Sequence, residues 1–221
     1  MIVHTNGSKI YMPDEYADQK SSKSKFSLKE RLENNIWEKE EITLLTKYLK
    51  PTDSVLELGA CIGLLGVFSN KIIGGNKHTL IEANPKMINV INKNRELNNS
   101  TFDVVNCMIG DPTKESGKFY VSDFILGSSQ YLTTKNEIKI EVKPLSDFSS
   151  DHNFIIVDIE GGEYNLVNDS IFELAKFSKL LIEFHDFFGF TIDDRDKALA
   201  ALNNVGFKVE ENIGNTYMLN K

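Results

Sequence analysis

At 221 residues the chain has room for one ordinary domain with modest additions. Hydrophobic residues make up 41% and charged residues 26%, a globular balance that excludes a disordered or fibrous chain. The formal net charge of −7 speaks against a nucleic-acid backbone as partner, because phosphate binding wants a basic stripe. Two cysteines, Cys61 and Cys107, make no disulfide framework and suit a reducing compartment. There is no signal-peptide core at the N-terminus and no apolar run of membrane-spanning length, so the expectation is a cytoplasmic protein with no membrane partner.

In chain order, the first 36 residues read as an extension. Met1 to Thr5 and Lys9 to Met12 can pair as a hairpin across Asn6-Gly7, a dipeptide that favours positive φ. Lys20, Lys23, Lys25 and Lys29, set among serines, read as a solvated connector. Ile42, Leu45, Tyr48 and Leu49 recur at helical spacing until Pro51 stops them. Strands are then expected over 54–58, 78–82 and 102–108. A helix follows the first, running to about Ile73, and another opens at Asn84-Pro85, with Asn84 as cap and Pro85 in the first turn. Residues 111–144 interrupt this rhythm as a hairpin insertion, with strands over 118–124 and 137–142 and Gly127-Ser-Ser-Gln130 between them. Apolar strands over 154–159 and 179–185, a helix from about Asp193 and a closing β pair, 206–211 and 215–219, complete the pattern. This alternation predicts an α/β domain over residues 37–221: a mainly parallel sheet, one antiparallel strand near the C-terminus, and helices on both faces.

The segment Val55-Leu-Glu-Leu-Gly-Ala-Cys-Ile-Gly63 takes a strand through a glycine turn into a helix, where backbone can approach a ligand closely. It lacks the Gly-x-Gly-x-x-Gly spacing of a dinucleotide site. Glu57 at the strand end repels a pyrophosphate but suits a ligand carrying an ammonium and a sulfonium. His78-Thr-Leu-Ile-Glu82 ends in a second acid, able to accept both hydroxyls of a ribose or, more simply, to face the dipole of the next helix.

These segments resemble the FkbM-type methyltransferases. The likeness is carried by Trp37-Glu38, Leu58-Gly-Ala-Cys-Ile-Gly63, Ile81-Glu-Ala-Asn-Pro85, Ile109-Gly-Asp111, Val157-Asp-Ile-Glu-Gly-Gly-Glu163 and Leu181-Ile-Glu-Phe-His185, in the family's order. The resemblance implies a seven-stranded Rossmann-like sheet of class I type, S-adenosylmethionine as methyl donor and O-methylation of a carbohydrate or other small molecule. Cofactor contacts are then expected from Glu57, Gly59, Ala60, Cys61, Gly63, Glu82, Ala83, Asn84, Met108, Ile109 and Asp158. Two positions depart from the family's pattern: Cys61 stands where asparagine is general, and Ile156 where lysine is frequent.

Asp158 breaks an apolar strand at the edge where open α/β sheets bind ligands. With Glu160 and His185 it is expected to face the acceptor, His185 taking the hydroxyl proton while a carboxylate orients it. Glu160 and Glu163 can equally cap the next helix. Asp158, Glu160 and Glu183 can alternatively hold a divalent ion, but no dedicated metal motif is present and no metal is expected. Phe184, Phe187, Phe188 and Phe190 either roof the cleft or belong to the core. Ser128, Ser129 and Gln130 either touch the acceptor or form a polar tip. Two other functions stay open, a ligand-binding protein of the same fold and a nicotinamide-dependent oxidoreductase; assembly as a homo-oligomer is also left open.

Overall fold

A computed structural model describes residues 1–21, 24–131, 136–186 and 189–221. The chain opens with β1 (Ile2–Thr5) and β2 (Ser8–Tyr11), antiparallel, with Thr5 opposite Ser8. Asn6 and Gly7 both take positive φ, 46° and 71°, the hand that matches the twist of a tight hairpin. Helices α1 (Asp14–Ala17) and α2 (Leu28–Glu33) follow. Ser27 accepts the Glu30 N–H, and the Glu30 carboxylate accepts the Ser27 N–H in return. The segment 20–29, read as a solvated connector, therefore runs into an ordered helix whose Leu28 and Leu32 are buried; Lys23 lies outside the described residues.

After α3 (Lys39–Tyr48) come β3 (Val55–Leu58), α4 (Leu64–Ile73), β4 (His78–Ile81), α5 (Pro85–Leu97) and β5 (Asp103–Val105). Asn84 caps α5 by accepting the Lys86 N–H, with Pro85 in the first turn. The strand expected over 102–108 breaks at Asn106, whose side-chain amide donates to the Glu82 and Ala83 carbonyls instead of continuing the ladder. Beyond the break, β6 (Met108–Ile109) joins a small sheet with β7 (Ser116–Tyr120) and β8 (Glu137–Lys143), parallel to β8, while β7 runs antiparallel to it. The strand expected over 118–124 thus starts earlier and stops at Tyr120; a 3₁₀ turn at Ile125–Gly127 then brings Ser129 back to pair with Tyr120.

The chain continues through α6 (Ser146–Ser149), β9 (Phe154–Val157), α7 (Glu163–Asp169), α8 (Ile171–Leu174), β10 (Lys179–Glu183), α9 (Ile192–Asn204), β11 (Lys208–Ile213) and β12 (Thr216–Asn220). The main sheet has seven strands in the order β11-β12-β10-β9-β3-β4-β5, and β12 runs antiparallel to both its neighbours. This is the mainly parallel, Rossmann-like α/β sheet that the sequence predicts. Every residue of β3, β4 and β9 is buried, as strands covered by helices on both faces must be. Alternate residues feed two cores: Val55, Leu80, Phe154 and Ile156 on one face, Leu56, Leu58, Ile155 and Val157 on the other. The first core also holds Val3, Ile10, Met12 and Leu32, so β1, β2 and α2 pack into the domain. Asn94 of α5, fully buried, ties them down: it accepts the Tyr11 N–H and donates to the carbonyls of Tyr11 and Ile62. No helix among the described residues is long and apolar enough to cross a membrane.

Candidate active site

A cavity of about 550 Å³ opens at the C-terminal edge of the parallel strands. Along that edge the sheet order sets out His185 beyond β10, Asp158 beyond β9, Gly59 beyond β3 and Glu82 beyond β4. This is the position where open parallel sheets bind ligands.

Gly59 is required by its surroundings. Its φ is +89°, and a Cβ there would lie 1.7 Å from the Asp158 carbonyl oxygen. The loop then turns through Cys61, also at positive φ, whose N–H donates to Glu82 at 2.7 Å. The other Glu82 oxygen accepts from the Asn84 N–H at 2.6 Å. Burial pushes this carboxyl up to about 7 against the pull of those two amides. Glu82 thus fixes the Gly59–Gly63 loop and the start of α5 while lining the cavity. Ala83, Asn84, Met108 and Ile109 line the cavity beside it.

Glu57, Ala60 and Gly63, expected to touch the ligand, are not among the lining residues. Ala60 is buried, its N–H on the Ile81 carbonyl, and Gly63 packs against Ile91 at the start of α4. Glu57 sits inside the sheet, 4.0 Å from His78. Burial pushes Glu57 up to about 8 and His78 down to about 3, so at neutral pH both are uncharged and their contact is no ion pair. Contrary to expectation, Glu57 does not repel a pyrophosphate, because burial holds its carboxyl neutral there. Its register partner on β9 is Ile156, the position where the resembling family often has lysine, so no cation reaches it from that strand.

Asp158, Glu160 and His185 all line the cavity and converge. The His185 Nε2 lies 3.7 Å from Asp158 Oδ1, 3.7 Å from Glu160 Oε2 and 3.9 Å from Glu183 Oε2. Behind the ring, Nδ1 meets Glu163 Oε1 at 3.1 Å. Glu163 opens α7, as expected, yet its carboxylate is fully buried and also accepts the N–H groups of Ile159 and Gly161. It holds both the imidazole and the loop that carries Glu160. That loop needs Glu160 at φ 52° and Gly161 at φ 100°. Burial alone would lower the His185 pKa, but the Glu163 hydrogen bond and the charges of Asp158, Glu163 and Glu160 raise it to about 11. The imidazole is protonated at neutral pH. Burial and the Asp158 charge push Glu160 up to about 8, and Glu183 up to about 9.

Two acids that the sequence reading gave no role also line this end. Glu38 takes φ 52° just ahead of α3, and its Oε2 is buried without a hydrogen-bond partner among the described residues. Glu41 accepts the Thr216 hydroxyl at 2.6 Å, and burial pushes it up to about 7. Trp37-Glu38 belonged to the motifs carrying the family resemblance, which was the available signal; nothing in local pattern marks Glu41, because its partner lies on the last strand. Ser128 and Gln130 line the cavity, whereas Ser129 is buried and donates to the Glu160 carbonyl. Phe184 is core, and Phe190 stacks on Tyr164 at 4.2 Å. Phe187 and Phe188 lie outside the described residues.

A family model described as the methyltransferase FkbM domain matches residues 57–209. No curated protein matches the chain. Among solved structures, the M. jannaschii tRNA m1G37 methyltransferase is similar at 16% identity with a TM-score of 0.50, over 99% of this chain and 54% of that one. The present chain therefore spans about half the length of that relative. A precorrin-6y C5,15-methyltransferase from Geobacter metallireducens is similar at 14% identity and TM-score 0.50, over 91% of both chains. A structure of a fibrillarin/Nop5p complex is similar at 13% identity and TM-score 0.51, over 82% of this chain and 78% of that one. At these identities the likeness shows the fold.

Proposed function

The chain belongs to the FkbM methyltransferase family, and from that premise we propose that it transfers a methyl group from S-adenosylmethionine to a hydroxyl oxygen of a carbohydrate or other small molecule. The observation that carries this reading is the single cavity that runs from the Gly59 loop and Glu82 to the Asp158–His185 cluster. Its about 550 Å³ lies within the range of ordinary small-molecule sites. The residues present suit the donor: Gly59 leaves the backbone bare where any Cβ would collide, and Glu82 offers a carboxylate to ribose hydroxyls. Met108 and Ile109 would flank the adenine, while Cys61, Ala83 and Asn84 complete the wall.

When bound, S-adenosylmethionine supplies a methyl group already activated on a sulfonium. The chain's task is to hold the acceptor oxygen in line with it, and orientation of this kind supplies on the order of several kcal/mol of the acceleration. Asp158, Glu160 and His185 face the acceptor in this reading. His185 is a poor base because its imidazole already carries the proton, held by Glu163 and the neighbouring charges. Glu160, raised to about 8, is largely protonated at neutral pH; its ionised fraction grows as pH rises towards that value and receives the hydroxyl proton in place of His185. His185 then orients and balances the carboxylates.

Calorimetric titration with S-adenosylmethionine and S-adenosylhomocysteine, repeated on Glu82→Ala, tests the reading. Micromolar binding that weakens at least about tenfold in the variant is expected, with no response to NADH. A folded protein that binds neither ligand overturns it. Binding without turnover on a broad panel of hydroxyl acceptors leaves a ligand-binding protein instead.

A further inference from the structure

Glu163 does more at His185 than fill a hydrogen bond. Its carboxylate on Nδ1 fixes the ring, and Nε2 faces Asp158, Glu160 and Glu183, which line the cavity. A histidine that gives one ring nitrogen to a buried carboxylate and turns the other outward is the arrangement that metal-ligating histidines use. Nε2 meets two carboxylates from two different strand ends, Asp158 Oδ1 at 3.7 Å and Glu183 Oε2 at 3.9 Å, and one ligand atom from each of the three residues lies within 4.8 Å of those of the other two. Ligands at about 2.1–2.4 Å from a shared cation stand about 3 Å apart as neighbours and about 4–5 Å apart as opposites, so this spacing encloses one ion. Independently, Asp158 Oδ1 is shut off from solvent and has no hydrogen-bond partner among the described residues. A buried carboxylate oxygen is costly to leave so.

We propose that Asp158, Glu183 and His185 form a divalent-cation site that holds the acceptor's oxygen beside the methyl donor. Two carboxylates and one imidazole, with an open side toward the cavity, suit Mn²⁺ or Mg²⁺ completed by acceptor or water oxygens. The cation takes the place of the imidazole proton as counter-charge to the cluster. Glu160 stays outside the ligand set. The acceptor implied is one with oxygen atoms able to reach the ion, a vicinal diol above all. This role in positioning rests on the methyltransferase reading; the cation site itself does not.

The test is Mn²⁺ titration of chelator-treated protein followed by electron paramagnetic resonance, beside calorimetry with S-adenosylhomocysteine. One Mn²⁺ per chain is expected, with a dissociation constant below about 100 µM. Binding should weaken at least about tenfold in Glu183→Gln and in His185→Gln, both still binding S-adenosylhomocysteine, and stay unchanged in the surface variant Glu211→Gln. Electron spin-echo modulation from a single imidazole nitrogen in the wild-type spectrum identifies the histidine ligand without any substitution. Protein that binds S-adenosylhomocysteine but takes up Mn²⁺ only weakly, and equally in all variants, overturns the cation site and leaves the methyltransferase reading standing. Mn²⁺ held as described with no S-adenosylhomocysteine binding supports the site and counts against that reading.

Discussion

Six non-glycine residues have positive φ among those described; three are asparagines, and the other three, Glu38, Cys61 and Glu160, all line the cavity. Asparagine takes this conformation readily, whereas glutamate there stores about 1 kcal/mol or more each, strain that collects where a site must be shaped. Gly59 is the residue with least freedom. Gly59→Ala places a Cβ onto the Asp158 carbonyl, so we expect a loss of at least about 2 kcal/mol in urea unfolding together with loss of cofactor binding. An alanine variant of wild-type stability and affinity would refute the close approach. Gly59 and Glu82 were legible in the sequence because a strand–glycine–helix pattern and an acid at a strand end are local signals. Glu163 was legible only as the start of a helix. Its hold on His185, 22 residues away, depends on how the ends of β9 and β10 lie together, and no spacing rule encodes that.

At the level of elements, apolar runs announced β3, β4, β9 and β10, since buried parallel strands carry little else. The capping box of α2 was written in Ser27 and Glu30 and lay hidden among lysines that suggested a solvated tether. The early end of β5 could not be read at all, because Asn106 breaks the strand by bonding carbonyls of a different loop. The same kind of distant bond joins the N-terminal hairpin to the site. Asn94 of α5 spans Tyr11 on β2 and Ile62 in the loop after β3. Asn94→Ala strands these backbone groups in the core, and we expect about 2–4 kcal/mol of destabilisation by denaturant unfolding, with weaker S-adenosylhomocysteine binding. Unchanged affinity in a destabilised variant would show that the hairpin supports the fold without supporting the loop.

For the whole molecule, the net charge of −7 hides an uneven distribution, because several of its acids are buried around one cavity. Burial raises Glu41 and Glu82 to about 7, Glu57 and Glu160 to about 8 and Glu183 to about 9. Each of these folded-state values exceeds the unfolded one, so their stabilising contribution is complete below the ordinary carboxylate range and is lost as pH rises through the folded values. His78 acts on the other side: buried neutral at about 3, it contributes stability above its unfolded value that is lost as pH falls. The ligand-free protein should be most stable near about pH 4.5, because above it the losses from five raised carboxyls outweigh the gain from one histidine, and it should melt about 5 °C lower or more at about pH 8.5, with a smaller drop in Glu57→Gln. A melting temperature that is flat or rises over that interval would contradict the burial of these acids. Nothing in the order of residues announces this, since a list of charges does not say which of them the fold buries together. The small sheet of β6, β7 and β8 branches from the domain after β5, and its described strands pair with one another. It lines the cavity both at its root, through Met108 and Ile109 of β6 and Phe119 of β7, and at its tip, through Ser128 and Gln130, while Ser129 holds the Glu160 carbonyl. A module rooted in this way can change its length or its tip without shifting the register of any strand in the main sheet. Variation confined to the tip therefore leaves Met108 and Ile109 in place, whereas variation at the root moves that wall of the cavity too.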